Sequence, residues 1–109
     1  MKNKSLKVIW APQAALDLEE IIIYIAEESP QNAKRIFSRL KEKAEILKNH
    51  PNKGLVVPEL KNFGITTYLQ VSSKPWRIIY RINDNIVNVV AVIDSRQDLQ
   101  QILANKLTR

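Results

Sequence analysis

Two amphipathic helical patterns follow each other almost without a linker, and this junction constrains the fold more than any other feature. From Pro12 onward, apolar residues recur at helical spacing, namely Ala15, Leu18, Ile21, Ile22 and Ile25. Ser29 and Pro30 are a typical N-cap and first residue of a second helix. Its apolar stripe consists of Ala33, Ile36, Phe37, Leu40, Ala44 and Leu47. Because only Glu28 and Ser29 separate the patterns, the helices must form an antiparallel hairpin.

Beta-branched and aromatic residues mark the remaining segments as strands. One short strand precedes the helices at residues 6–10, and three follow them at residues 66–72, 76–82 and 86–93. Residues 83–85 predict a tight turn between the last two strands. Residues 96–107 predict a final short helix, whose apolar face carries Leu99, Ile102, Leu103 and Leu107.

The resulting order of elements is β-α-α-β-β-β-α. We therefore expect an α+β fold in which the N-terminal helical hairpin covers one face of a small antiparallel sheet. With 109 residues the chain is long enough for one core and too short for two, so it should form a single domain over residues 1–109.

Composition excludes several kinds of site. The chain has no cysteine, which rules out disulfides and thiolate chemistry, and His50 is its only histidine, so it offers no histidine spacing for a metal. Two glycines cannot build a glycine-rich phosphate loop. We expect no metal and no cofactor. Neither a signal peptide nor a membrane-spanning run is visible, and the expected location is the cytoplasm.

The net charge of +6 favours an acidic or polyanionic partner. Carboxylates crowd into residues 17–28, whereas residues 49–83 contain only one, Glu59. That second span also carries five cations, Lys53, Lys61, Lys74, Arg77 and Arg81. We therefore expect the positive field on the strand half of the domain.

Residues 76–82 alternate between two faces of their predicted strand. The core face carries Trp76, Ile78, Tyr80 and Ile82. The other face, expected to be open, carries Arg77, Ile79 and Arg81.

Arg96 follows the neighbouring strand, so three guanidiniums are expected near this open face. Such a group would hold a phosphate or carboxylate, because each guanidinium forms two parallel hydrogen bonds with an anion. The alternative is a surface salt bridge of Arg77 or Arg81, worth under about 1 kcal/mol, with Asp94, Asp98 or Glu59 as the partner.

Ile23 falls on the polar side of the first helix, among Glu19, Glu20 and Glu27. It is either a solitary surface hydrophobe or a contact for a partner protein.

Several motifs, taken in order, resemble the RelE/ParE superfamily of bacterial type II toxins. In the helical half they are Ala14, Leu18 and residues 22–26 of the first helix and Ser29-Pro30 at the start of the second. In the strand half they are Pro51 and Gly54 of the loop after the second helix, Val57-Pro58-Glu59-Leu60, the strand at residues 76–82, and Ser95-Arg96-Gln97-Asp98-Leu99. The resemblance spans nearly the whole chain. It implies a small toxin that an acidic, partly disordered antitoxin wraps and neutralises in a hetero-oligomer.

The resemblance implies two competing mechanisms. RelE-like members cleave messenger RNA on the ribosome with arginine and lysine side chains, commonly helped by a tyrosine or histidine near the C-terminus. ParE-like members instead inhibit DNA gyrase and lack that set of residues.

Arg77 and Arg96 match arginine positions of the nucleases, and Tyr80 or Arg81 would assist them in a nuclease. However, Tyr68 and Gln70 stand where nucleases carry cations, and Ile102 stands near the position of their C-terminal tyrosine. These departures favour a gyrase inhibitor. The alternatives are a ribosome-dependent endoribonuclease and a binding domain that has lost toxicity. As antitoxin contacts we expect Ile23, Arg77, Ile79 and Arg81.

Overall fold

The computed structural model describes residues 5–96 together with Gln101 and Asn105. The elements, in chain order, are β1 (Lys7–Trp10), α1 (Pro12–Ala26), α2 (Pro30–Glu45), a 3₁₀ turn (Ile46–Lys48), β2 (Leu55–Val56), α3 (Pro58–Lys61), β3 (Leu69–Ser73), β4 (Trp76–Asn83) and β5 (Ile86–Asp94). The expected α+β fold and its helical hairpin are confirmed. Gln101 and Asn105 are helical. The rest of the expected final helix beyond Arg96 lies outside the described residues.

The five strands form one sheet in the order β1-β5-β4-β3-β2. The antiparallel pairing of β3, β4 and β5 is as expected, and β2 adds to β3 in the same antiparallel manner. The expectation of a wholly antiparallel sheet is wrong, because β1 pairs in parallel with β5. Asp84 and Asn85 both have positive φ, at 52° and 62°, which identifies the tight turn between β4 and β5 as a two-residue hairpin turn.

Sequence patterns did not predict β2 and α3, because proline and glycine, here Pro58 and Gly64, ordinarily interrupt regular structure. Instead, Pro58 occupies the first turn of α3, where its missing N–H costs nothing. Gly64 ends this short helix with a φ of 80°. The backbone N–H of Ile65 donates to the carbonyl of Leu60, and that of Gly64 to Lys61, so the two bonds form a Schellman cap.

The sheet is covered on both faces, which corrects the expectation of an open face. The helical hairpin covers one face over a large core that includes Leu18, Leu40, Ile78 and Tyr80. On the other face, α3 and the residue before it cover a smaller apolar cluster formed by Val57, Leu60, Ile79, Ala91 and Ile93. Ile79 is therefore only 1% exposed and cannot be the open-face contact that alternation predicted.

The buried side of α1 includes a carboxylate that the apolar pattern did not predict. Ala14, Asp17 and Leu18 are buried, whereas the expected Ala15 is exposed. One oxygen of Asp17 accepts a hydrogen bond from the backbone N–H of Val92 at 3.0 Å, and the other accepts from the amide of Gln13 at 3.0 Å. Asp17 thus connects α1 to the backbone of β5 from within the core.

We predict that Asp17→Ala lowers the free energy of unfolding by about 1–3 kcal/mol, because it leaves the buried N–H of Val92 without its acceptor. Urea unfolding followed by circular dichroism measures the change. The matched control is Glu20→Ala, an exposed carboxylate on the same helix, which should shift stability by less than about 0.5 kcal/mol. Equal stabilities of the two variants would contradict a role for Asp17 in joining helix and sheet.

Candidate functional site

Arg77 lies inside the small core between β4 and α3. Its side chain bonds both carboxylate oxygens of Glu59, with Nη2–Oε2 at 2.7 Å and Nη1–Oε1 at 3.2 Å, and Nη1 also donates to the side-chain oxygen of Gln70. Arg77 is 8% exposed. The predicted pairing of Arg77 with Glu59 is therefore confirmed, but the expectation of a surface salt bridge is wrong, because the guanidinium is buried and is not directed at solvent.

Three elements create this arrangement. Glu59 lies in the first turn of α3, Gln70 lies on β3, and Arg77 lies on β4, where it pairs in register with Ser72. Because Val57 and Leu60 anchor α3 in the small core, the carboxylate of Glu59 is held over the sheet. Gln70 accepts a hydrogen bond from Arg77 and so gives the guanidinium a second partner beside Glu59.

Tyr80 lies on the opposite face of β4, in the large core beneath the helices. Its hydroxyl donates to the carbonyl of Pro51 at 2.8 Å and accepts from the N–H of Gly54 at 3.0 Å. Burial raises the pKa of Tyr80 above its ordinary value, and the bond from Gly54 opposes that effect. A β-carbon at position 54 would lie 2.6 Å from the hydroxyl oxygen, which explains the glycine there. Tyr80 therefore fixes the loop that contains Pro51.

Arg81 and Arg96 are the exposed members of the expected arginine set. The guanidinium carbon of Arg81 lies 6.0 Å from the centre of the Tyr68 ring. Arg96, whose side chain is 74% exposed, forms an ion pair with Asp94 at 2.6 Å. The hydrogen bond from Arg96 lowers the pKa of the Asp94 carboxyl below its ordinary value.

The four candidate nuclease residues do not form one cluster. Arg77 is held by Glu59 in the small core, Tyr80 is held by a loop carbonyl in the large core, and Arg96 is held by Asp94 after β5. Of these four residues, only Arg81 has a charged side chain that forms no ion pair with a described residue. The structure therefore does not assemble the shared anion site that the sequence suggested.

An apolar groove runs between α1 and α2 on the outside of the hairpin, with a volume of about 700 Å³. Its lining includes Trp10, Leu16, Ile23, Phe37 and Lys41, and we call it the hairpin groove. Ile23 is 57% exposed, and Leu16 and Phe37 are exposed with it. Ile23 is thus part of a continuous apolar surface. Sequence patterns assigned Phe37 to the core and left Leu16 out, so they revealed only Ile23.

Lys41 borders the hairpin groove with its ammonium nitrogen 4.8 Å from the ring centre of Trp10 and 5.9 Å from that of Phe37. The groove thus combines an aromatic wall with one cation, Lys41, and one carboxylate, Glu19.

The positive charge is not confined to the strand half, which corrects the expected charge distribution. The ion pair with Glu59 neutralises Arg77. In contrast, α2 carries five exposed or partly exposed cations, Lys34, Arg35, Arg39, Lys41 and Lys43.

Within residues 5–96 and the two described residues beyond them, no group of three or more histidine, cysteine or acidic residues could hold a metal ion. None of the helices in the same part of the chain is long and apolar enough to span a membrane.

Residues 8–99 match the protein family described as the ParE toxin of type II toxin-antitoxin system, parDE. The chain belongs to this toxin family. A curated relative, Toxin RelE2 of Caulobacter vibrioides, is 31% identical over 87 residues, which cover 79% of this chain and 91% of the relative. Together these matches confirm the expected RelE/ParE superfamily and a toxin of a type II toxin-antitoxin system.

Two solved structures share the fold. The chromosomal ParDE TA system from P. aeruginosa superimposes with a TM-score of 0.67 at 17% identity, covering 83% of this chain and 96% of that one. The toxin-antitoxin complex RelBE2 from Mycobacterium tuberculosis gives 0.60 at 22% identity, covering 85% and 94%. One neighbour carries a ParDE name and the other a RelBE name, so the likeness supports the fold without separating the two branches.

We predict that Glu59→Ala lowers the free energy of unfolding by about 2–3 kcal/mol, because the guanidinium of Arg77 then stays buried without its counterion. The expected loss of stability is smaller than for a fully buried ion pair, since the Glu59 side chain keeps 28% of its surface exposed. Urea unfolding measures this change in the free energy of unfolding.

Adding Arg77→Met to Glu59→Ala should recover most of the loss, because an apolar side chain of similar length suits the small core. As a control, Arg96→Ala removes a guanidinium from an exposed pair and should leave the unfolding midpoint unchanged. If Glu59→Ala were as stable as the wild type, the ion pair would not hold α3 on the sheet.

Proposed function

We propose that this toxin inhibits DNA gyrase and is neutralised by a cognate antitoxin that binds the hairpin groove. The proposal of a gyrase inhibitor rests mainly on the hydrogen bonds that Arg77 donates to Glu59 and Gln70. Among the four candidate nuclease residues, no cluster of unpaired cations remains that could stabilise the charge of a cleaved phosphodiester.

Phosphodiester cleavage also needs a group that moves a proton near the reacting hydroxyl. The hydroxyl of Tyr80 is buried and committed to Pro51 and Gly54. The sequence contains no tyrosine or histidine after Tyr80, and its single histidine is His50. These features support a toxin that acts by binding a target enzyme, as the resemblance to ParE toxins implies.

A supercoiling assay with purified gyrase tests this function. We expect the toxin to inhibit supercoiling at micromolar concentration, and we expect expression of the toxin to induce a DNA damage response. The antitoxin-bound toxin is the control and should have no effect. Absence of both inhibition and the damage response would overturn the proposal.

A ribosome-dependent endoribonuclease is the second candidate, because the 31% identical relative is named Toxin RelE2. Toeprinting on translating ribosomes distinguishes the two, and our proposal predicts no new cleavage in the A site. If cleavage occurred, Arg77→Ala would show whether that arginine takes part. Growth after induced expression separates both candidates from a domain that has lost toxicity.

For the antitoxin, the hairpin groove offers what an amphipathic segment requires. Its apolar wall buries hydrophobic side chains, and Lys41 at its border suits a carboxylate. Ile23 remains a proposed contact because it is exposed, and Arg81 remains one for the same reason. Arg77 and Ile79 are withdrawn as antitoxin contacts, since both are buried in the small core.

We predict that Ile23→Glu weakens antitoxin binding about tenfold or more, because the new carboxylate loses its hydration inside an apolar contact. Isothermal titration calorimetry with the purified antitoxin measures the affinity. Leu55→Glu is the matched control, since Leu55 is 72% exposed on the short strand β2, away from the hairpin groove. Equal affinities of the two variants would place the antitoxin elsewhere.

A further inference from the structure

The hairpin groove continues into a second cavity along the outside of the two helices. This second cavity has a volume of about 640 Å³ and lies toward the turn between α1 and α2. The two cavities share Ile22 and Phe37 as lining residues, so they form one continuous depression, which we call the hairpin trough. Along α1 it extends from Pro12 to Ala26, which corresponds to about 20 Å of helix axis.

The shape and lining of the hairpin trough favour a helical occupant over an extended one. Its walls are two helices whose backbone groups are bonded internally, so the trough offers no free strand edge. An extended segment would leave its own N–H and C=O groups unpaired against apolar side chains such as Leu16, Ile23 and Phe37. A helix satisfies these groups within itself. The occupant is therefore expected to be an amphipathic helix.

The two sides of the hairpin trough carry opposite charges. Lys34 and Lys41 line it from α2, and Glu19 lines it from α1. All three residues are exposed, and none of them forms an ion pair with a described residue. A partner in the trough can therefore supply the counterions.

The spacing of the two lysines matches the period of a helix. Lys34 and Lys41 are seven residues apart, which corresponds to nearly two turns and about 10 Å along α2. They therefore lie on the same side of α2. A partner helix that lies along the trough has the same period, so its residues i and i+7 face both lysines at once.

We propose that the occupant of the hairpin trough is an antitoxin helix of about four turns with two carboxylates seven residues apart on the flank that faces α2. The apolar stripe of this helix packs between α1 and α2. Its other flank has no carboxylate opposite Glu19, because like charges there would repel. This inference rests on the proposed antitoxin site, which the variant Ile23→Glu tests separately.

Isothermal titration calorimetry with the purified antitoxin, at low and at high salt, tests the charge pattern. The variant Lys34→Gln/Lys41→Gln should bind about tenfold more weakly at low salt, because two carboxylates lose their partners. The loss should be smaller at high salt, where exposed ion pairs are screened. The matched control is Arg35→Gln/Arg39→Gln, which removes two exposed cations of α2 that line neither cavity. It should bind within about twofold of the wild type.

A double-mutant cycle tests whether the antitoxin carboxylates meet these two lysines. Replacing the acidic pair of the antitoxin, at i and i+7, with glutamine should weaken binding to the wild-type toxin. The same replacement should have little further effect on Lys34→Gln/Lys41→Gln. Additive losses, equal weakening by the lysine and arginine variants, or a bound antitoxin segment without such an acidic pair would overturn the inference.

The variant Ile23→Glu separates failure of the charge pattern from failure of the site. If Ile23→Glu weakens binding and the lysine variant behaves like its control, the site is retained and the charge pattern is wrong. If neither variant weakens binding, the proposed antitoxin site is wrong as well. Analytical ultracentrifugation of the toxin alone should show a monomer. A dimer that Ile23→Glu dissociates would identify a second copy of the chain as the occupant and overturn the inference. Circular dichroism confirms that the variants are folded.

Discussion

The buried ion pair between Arg77 and Glu59 determines how both faces of the sheet are used. It joins α3 to β4, and with Val57 and Leu60 it closes the small core over Ile79. A guanidinium with little access to water requires a counterion, and Glu59 supplies a bidentate one. Arg77 of β4 therefore stabilises the fold, and the face of the sheet that was expected to be open is covered by α3.

With Arg77 held in the small core, the proposed antitoxin surface is the hairpin groove on the outside of the helices. With Arg77 and Tyr80 both committed to structural contacts, the described residues offer binding surfaces in place of an assembled catalytic cluster. The hairpin groove is largely apolar, with Lys41 and Glu19 among its lining residues.

Local patterns predicted the helical hairpin, the strand order of the antiparallel part and the tight turn, because each depends on neighbouring residues. Burial of Arg77 could not be predicted the same way, since alternation along a strand does not reveal what covers each face. One signal was available, because Glu59 is the sole carboxylate of residues 49–83. Similarly, Asp17 shares the helical spacing of Ala14 and Leu18, yet a carboxylate in an acidic run is ordinarily solvated.

Nuclear magnetic resonance of the arginine side chains tests the central claim most directly, with Arg81 as an internal reference in the same molecule. The account predicts slowly exchanging, separately resolved Nη protons for Arg77, with contacts to Glu59, that do not shift when an RNA dinucleotide is added. Arg81, which is exposed, should give averaged signals. Averaged signals for Arg77, or a shift of its resonances on adding RNA, would contradict the account and restore this arginine as a phosphate ligand.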